Sequence, residues 1–170
     1  MGAHTNDVHD TQIALDGVRR IVHALHESSR WAEKHVGLSG AQLFVLQQLA
    51  EGGPASVNEV AARTHTHQSS VSTVVARLVD RGLVKRGRSA ADGRRVQLSL
   101  TTTGRRLVDR TPGVAQERLA RAIRQLPARR RQLLAATLSE LADTLNLVGD
   151  APAMFFEART RPARKVVSHA

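Results

Sequence analysis

Polar and apolar positions alternate along the chain with a helical period in most places and a strand period in one. From Thr11 to about His35, the residues Val18, Ile21, Val22, Leu25, Ala32 and Val36 recur three and four apart. This predicts a long helix with one apolar stripe, ended by Gly37. Ser39 stands as an N-cap before Ala41, Leu43, Phe44, Leu46, Leu49 and Ala50, a second helix closed by Glu51-Gly52-Gly53-Pro54. A short third helix is expected from about Val57 to Thr64, with Val60 and Ala61 inward. Beyond the turn Thr64-His65-Thr66-His67, where Thr66 or His67 is the N-cap, Val71, Val74, Val75 and Leu78 share one face of a fourth helix stopped by Gly82.

Two strands follow, Leu83 to Arg86 and Val96 to Leu100, joined by the turn-rich segment Gly87-Arg88-Ser89-Ala90-Ala91-Asp92-Gly93-Arg94-Arg95. After Thr101 the apolar set Leu107, Val108, Val114, Leu119, Ile123 and Leu126 predicts one long helix kinked at Pro112. Pro127 opens a last helix whose stripe is Leu133, Leu134, Leu138, Leu141, Leu145 and Val148, ending at Gly149. Residues 1–10 are polar and aperiodic and are expected to be disordered. Residues 150–170 form a basic tail with Arg159, Arg161, Arg164 and Lys165 behind an Ala153-Met154-Phe155-Phe156 patch.

Composition narrows the fold class. Hydrophobic residues make up 41% of the 170, but aromatics only 2%, so the core must be built from Leu, Val, Ile and Ala. That suits packed helices and predicts a mainly α protein with a small β element. The chain has no cysteine, which excludes disulfide scaffolds, thiolate zinc sites, Cys nucleophiles and thiol-oxidation sensors, and fits a reducing compartment. No apolar run reaches the roughly 18 residues that span a bilayer, and the start lacks a signal-peptide layout, so a cytoplasmic location is expected.

Charge changes the picture further. The formal net charge is +10, and Ser56 to Arg106 holds ten cations against the three acids Glu59, Asp80 and Asp92. Only three of the 25 cations are Lys, a bias that composition alone could produce, but a solvated face normally mixes both signs. A one-sided block points to a polyanion such as DNA. Helix, turn, helix, strand, basic loop, strand is the order of a winged helix-turn-helix. In the fourth helix Gln68, Ser69, Ser72, Thr73, Ala76 and Arg77 face away from the apolar side, leaving a small, polar, acid-free surface that a major groove could accept. Arg88, Arg94 and Arg95 at the hairpin tip could lie on the backbone or enter the minor groove. Asp92, two residues before Arg94, could hold that guanidinium in one rotamer.

Leu38-Ser39-Gly40-Ala41-Gln42-Leu43-Phe44-Val45-Leu46, Asn58-Glu59-Val60-Ala61, Val71 to Val84, and Asp92-Gly93-Arg94-Arg95 followed by Leu100-Thr101-Thr102-Thr103-Gly104 resemble the MarR family of bacterial transcription regulators. The resemblance spans about residues 11–149. It implies a homodimer with a helical dimerisation domain (11–37 and 102–149) and a winged helix-turn-helix DNA-binding domain (38–101). It implies DNA contacts from Gln68, Ser69, Ser70, Ser72 and Thr73, a phosphate contact from Arg77, and a wing Arg94 braced by Asp92. It also implies a small aromatic or phenolic anion as effector, which here points to Arg19, His23, His26, Arg30 and Trp31 on the first helix. The dimer has independent support, since three long helices carry more apolar face than one small core can cover. Two-fold symmetry then predicts a pseudo-palindromic operator with half-sites about one helical turn apart. One departure stands out: the fourth helix has no Arg or Lys before Arg77, so Gln68 and the hydroxyls would have to read the bases.

Competing readings remain. A non-specific architectural DNA binder would use the charge without reading sequence. His65 and His67, with His23 and His26, could suggest a metal-responsive regulator, but no third ligand is fixed nearby and no metal or other cofactor is expected. The favoured reading of Arg19 and Arg30 is as solvated charges, and of Trp31 as packing. No nucleophile elbow, phosphate loop or HExxH pattern occurs, and an enzyme is not expected.

Overall fold

The computed structural model describes residues 3–88, 94–147 and 154–155. The elements run α1 (Ala3–Val36), α2 (Gly40–Gly52), α3 (Val57–Thr64), α4 (Gln68–Asp80), β1 (Val84–Arg88), β2 (Val96–Leu100), α5 (Thr102–Asp109), α6 (Ala115–Gln125) and α7 (Ala128–Thr144). The chain is mainly helical with one two-stranded antiparallel sheet.

Local chemistry sets most boundaries. Ser39 and Gln42 form a capping box at the start of α2: the Ser39 hydroxyl accepts from the Gln42 N–H at 3.2 Å, and Gln42 Oε1 accepts from the Ser39 N–H at 3.0 Å. Ser56 and Glu59 repeat the device at α3. At α4 the N-cap position falls to His67, with no side-chain cap. Helix α1 begins at Ala3, ahead of the Thr11 start that apolar periodicity predicts. Once nucleated, a helix extends through polar residues because each adds a hydrogen bond for one residue fixed. At the other end α7 stops at Thr144, where Asn146 turns left-handed at φ 53°. The expected stop at Gly149 lies outside the described residues, as does Val148.

Helices α2 to α4 close around a core in which Leu38, Leu43, Leu46, Val60, Val71, Val75, Leu78 and Leu98 are completely buried, each contributing about 1.5–3 kcal/mol. The ladder pairs Val84 with Leu100 and Arg88 with Val96. Ala55 adds an isolated bridge to Leu98, with N–H···O distances of 3.0 and 2.7 Å. The Leu100-Thr101-x-x-Gly104 motif has a direct cause. The Thr101 hydroxyl donates to the Gly82 carbonyl at 2.8 Å and accepts from the Gly104 N–H at 3.0 Å. At Gly104 a Cβ would lie 2.1 Å from the Leu83 carbonyl oxygen, so only glycine lets α5 approach the wing this closely.

The single long helix expected after Thr101 is two helices. Pro112 breaks it, since proline offers no N–H to continue the ladder, and the break is held from outside. Buried Gln47 donates to the Pro112 carbonyl at 3.0 Å and accepts from the Val114 N–H at 3.2 Å. The Ser28 hydroxyl of α1 accepts from the Ala115 N–H at 3.0 Å. Two orphan donors of the α6 first turn are therefore satisfied by other helices. Helix α5 packs on α2 and β2, so residues 102–109 lie against the winged lobe, whereas the sequence boundary assigns them to the dimerisation helices.

Outside the lobe, the apolar stripe of α1 is covered only in part. Leu25, Ser29 and Ala32 are buried, while Val8, Leu15, Val18 and Val22 are exposed. In α7 no residue is buried. Among the described residues no helix is long and apolar enough to cross a membrane.

Candidate nucleic-acid interface

The outer face of α4 follows from the burial of its inner face. Val71, Val74, Val75 and Leu78 point into the core, and Gln68, Ser69, Thr73 and Ala76 are exposed, with Ser72 and Arg77 half-buried. Ser70 is different. It is buried at 7% exposure, because positions 70, 74 and 78 share the inward face of a 3.6-residue helix. The DNA contact expected of Ser70 is therefore not available from this face. The Thr73 hydroxyl donates back to the Ser69 carbonyl at 3.2 Å, which satisfies its proton within the helix and turns acceptor lone pairs outward. From Gln68 to Arg77 this face carries no carboxylate, and the one acid of α4 is the exposed Asp80 at its C-terminal end.

Next to α4, the β1–β2 ribbon carries Lys85, Arg86 and Arg88 on β1, all exposed, with Arg94 and Arg95 exposed just before β2. Helix face and ribbon thus form one acid-poor, cationic surface. Asp92 lies outside the described residues, and so does the bracing contact expected of it. Glu59, the nearest acid of α3, is exposed. Hydrogen bonds from the Ser56 N–H and then the Ser56 hydroxyl hold its carboxyl below the ordinary value of 4.5, and Arg63 and Arg95 push the same way.

Part of the mid-chain charge is structural. Arg63 donates to the Gly53 carbonyl at 3.0 Å and Arg105 to the Ala50 carbonyl at 3.1 Å. Both reach the C-terminal end of α2, whose last turn has no basic residue of its own. Cations there complement unsatisfied carbonyls and the negative end of the helix dipole. Arg81 donates to the Gly37 carbonyl at 2.5 Å, tying the end of α4 to the end of α1. These three contacts have no signal in the linear sequence.

Of the expected effector residues, Arg19 pairs with Asp16 at 2.7 Å and Arg30 pairs with Glu27, both on the exposed surface of α1. His23 and His26 are exposed on the same helix. Trp31 stacks on His35 with ring centroids 4.7 Å apart and lines two open depressions, one of about 340 Å³ against Leu43 and Val114, the other of about 600 Å³ against Leu107 and Arg110. The structure therefore does not gather these five residues into one site. His65 and His67 lie on the lobe, and among the described residues no three His, Asp or Glu side chains come together as metal ligands.

Comparison with known proteins adds to this geometry. The MarR family model matches residues 36–95. ML2140 of Mycobacterium leprae (strain TN), an HTH-type transcriptional regulator, is 30% identical over 125 residues, 74% of this chain and 87% of that protein. The HTH-type transcriptional repressor MdtR of Bacillus subtilis (strain 168) is 38% identical over 68 residues, 40% of this chain and 44% of that one. Among solved structures, BpsR of Bordetella bronchiseptica, whose DNA binding is regulated by 6-hydroxynicotinic acid, aligns with a TM-score of 0.51 at 26% identity over 78% of this chain and 92% of that chain.

Proposed function

The chain belongs to the MarR family of transcription regulators, and on that premise we propose that it is a repressor that binds a pseudo-palindromic operator as a homodimer and is released by a small aromatic or phenolic anion. The observation that carries the reading is the outer face of α4, free of acids from Gln68 to Arg77, set beside a cationic β-ribbon. Gln68, Ser69, Ser72 and Thr73 enter the major groove, Arg77 meets a phosphate, and Arg88, Arg94 and Arg95 follow the backbone or the minor groove. The uncovered stripes of α1 and α7 support a second copy as the partner. Two recognition helices held at a fixed separation then require half-sites about one turn apart. A hydroxylated aromatic acid regulates the related BpsR, which supports an effector of that class here. The α1 flank at Trp31 is the first place to seek it.

Fluorescence anisotropy tests this. At about 0.15 M salt, a duplex from upstream of its own gene should bind about a thousandfold more tightly than a scrambled duplex. Thr73→Glu should abolish that preference with folding intact, and Arg94→Ala should cost about 1–3 kcal/mol. Equal binding to all duplexes, in a genome-wide footprint as well, would instead identify a charge-driven architectural binder.

A further inference from the structure

Outside the winged lobe the chain has a second one-sided block of charge. Between Glu117 and Glu140 it runs 22 residues with six arginines and no acid: Arg118, Arg121 and Arg124 on α6, and Arg129, Arg130 and Arg131 in the first turn of α7. We propose that the α6–α7 hairpin is a DNA-backbone site, in which Arg124, Arg129, Arg130 and Arg131 grip phosphates beside the groove that α4 enters. This rests on the DNA-binding reading above and extends it to helices that the sequence boundary gives to dimerisation alone.

Two properties set this block apart from a solvated face. The first is its single sign. A solvated face mixes both signs, as α1 does with five acids and four Lys or Arg. In the hairpin, among the described residues, only Arg121 of the six pairs with a carboxylate, that of Glu117. Arg124, Arg129, Arg130 and Arg131 are all exposed, and no carboxylate neutralises them. The second is position. The start of a helix is the positive end of its dipole, which favours acids and disfavours cations, yet the first turn of α7 holds three arginines and no acid. Cations kept where their own helix opposes them point to an outside anion that compensates them.

The fold fixes this hairpin beside the turn that leads into α4. Arg124 Nη1 lies 3.0 Å from His65 Nε2, and because a guanidinium only donates, the imidazole nitrogen accepts. Arg131 donates to the Arg124 and Leu126 carbonyls at 3.0 and 3.2 Å, which holds the start of α7 against the end of α6. His65 ends α3 in the left-handed region at φ 53°, and His67, two residues on, is the N-cap position of α4. The first residues of a groove-bound helix meet base edges, and the sugar-phosphate strands border the groove on either side of it. The strand that passes the N-terminal end of α4 meets the hairpin. Guanidinium groups suit it, since their planar N–H forks match phosphate oxygens.

A backbone contact is blind to sequence and is read from salt dependence. The test is fluorescence anisotropy of the full chain on the upstream duplex and its scramble, from about 0.05 to about 0.3 M salt. Three proteins are compared: the parent, Arg129→Gln with Arg130→Gln, and a control, Arg20→Gln with Lys34→Gln, which removes two exposed charges from α1. In the hairpin variant the slope of log affinity against log salt should shrink by about 2 for each protomer bound. Binding at about 0.15 M salt should weaken at least about tenfold on both duplexes, with the preference between them unchanged. The control should keep the parent's slope. The hairpin variant's melting temperature should match or exceed the parent's, since two cations leave the positive end of the α7 dipole. A hairpin variant with the parent's slope overturns the proposal, and a raised dimer dissociation constant in sedimentation equilibrium would then assign these arginines to the second copy. Equal loss of slope in variant and control is a general charge effect and overturns it too. If the parent binds both duplexes equally, sequence-specific regulation fails while the slope comparison still judges the hairpin. No binding to either duplex overturns both.

Discussion

The apolar stripe of α1 meets two fates within one helix. From Leu25 onward Leu25 and Ala32 are at most 5% exposed, while before it Val8, Leu15, Val18 and Val22 are 44–68% exposed. Helix α7 continues the contrast, with Leu138, Leu141 and Leu145 at 48–58% spaced i, i+3, i+7 along one side. The lobe between them satisfies its own pattern. A stripe of leucines and valines in water forgoes about 25 cal/mol for each Å² it could bury, and single exposed apolar residues are ordinary whereas long stripes on two helices mark an interface. The lobe is therefore the self-contained half of the chain, and the long helices are the half that a second copy completes under the proposed function.

The largest expected effect breaks this contrast outright. Leu138→Glu combined with Leu141→Glu should raise the dimer dissociation constant by at least about a hundredfold in sedimentation equilibrium, because each charge is buried twice in a two-fold interface. Operator affinity should fall with it while the thermal transition of the lobe survives. A double variant that stays dimeric would show that α7 is not the covered surface.

Gln47→Leu acts at the joint between the two halves. It removes both bonds that hold the break around Pro112, stranding a buried Val114 N–H at a cost of about 1–3 kcal/mol. Denaturant unfolding should register that loss, and operator binding should weaken more than in a surface control because α6 is no longer fixed to the lobe. Equal stability would mean that the Ser28–Ala115 bond and packing hold the joint without Gln47.

The smallest effect lies within the lobe. The folded state lowers the Glu59 pKa beneath 4.5, so its stabilising contribution is complete above that value and fades as pH falls through the lowered one. The melting temperature of Glu59→Gln should therefore lie slightly below that of the parent at neutral pH, and the two curves should converge in acid. A gap that persists in acid would show that the capping box works through geometry rather than through the carboxylate charge.

Much of the fold is legible because its signals are short-range. Ser39 announces α2, the valine spacing in α4 separates core from groove face, and Thr101 with Gly104 marks the start of α5. The Ser56-x-x-Glu59 spacing could also have been read as a capping box. Ser70 shows how a motif-based expectation goes astray, since its position relative to Val74 and Leu78 already puts it on the inner side. Pro112 signalled an interruption, but whether a proline kinks or breaks a helix depends on whether other groups take over the orphaned N–H donors, and here Gln47 and Ser28 do.

The sequence by itself determined the helical periods, the capped ends, the small polar face of α4 from Gln68 to Arg77 and the excess of positive charge. Each depends on residues within a few positions of one another or on simple counts. Only the tertiary structure decided which arginines serve the protein itself, such as Arg63, Arg81 and Arg105 on distant carbonyls, where the apolar stripes go uncovered, and that Arg124 stands beside His65. Those outcomes join residues tens of positions apart, and hydrogen-bond partners at such separation are chosen by packing after the backbone has turned, which no local pattern of residues encodes.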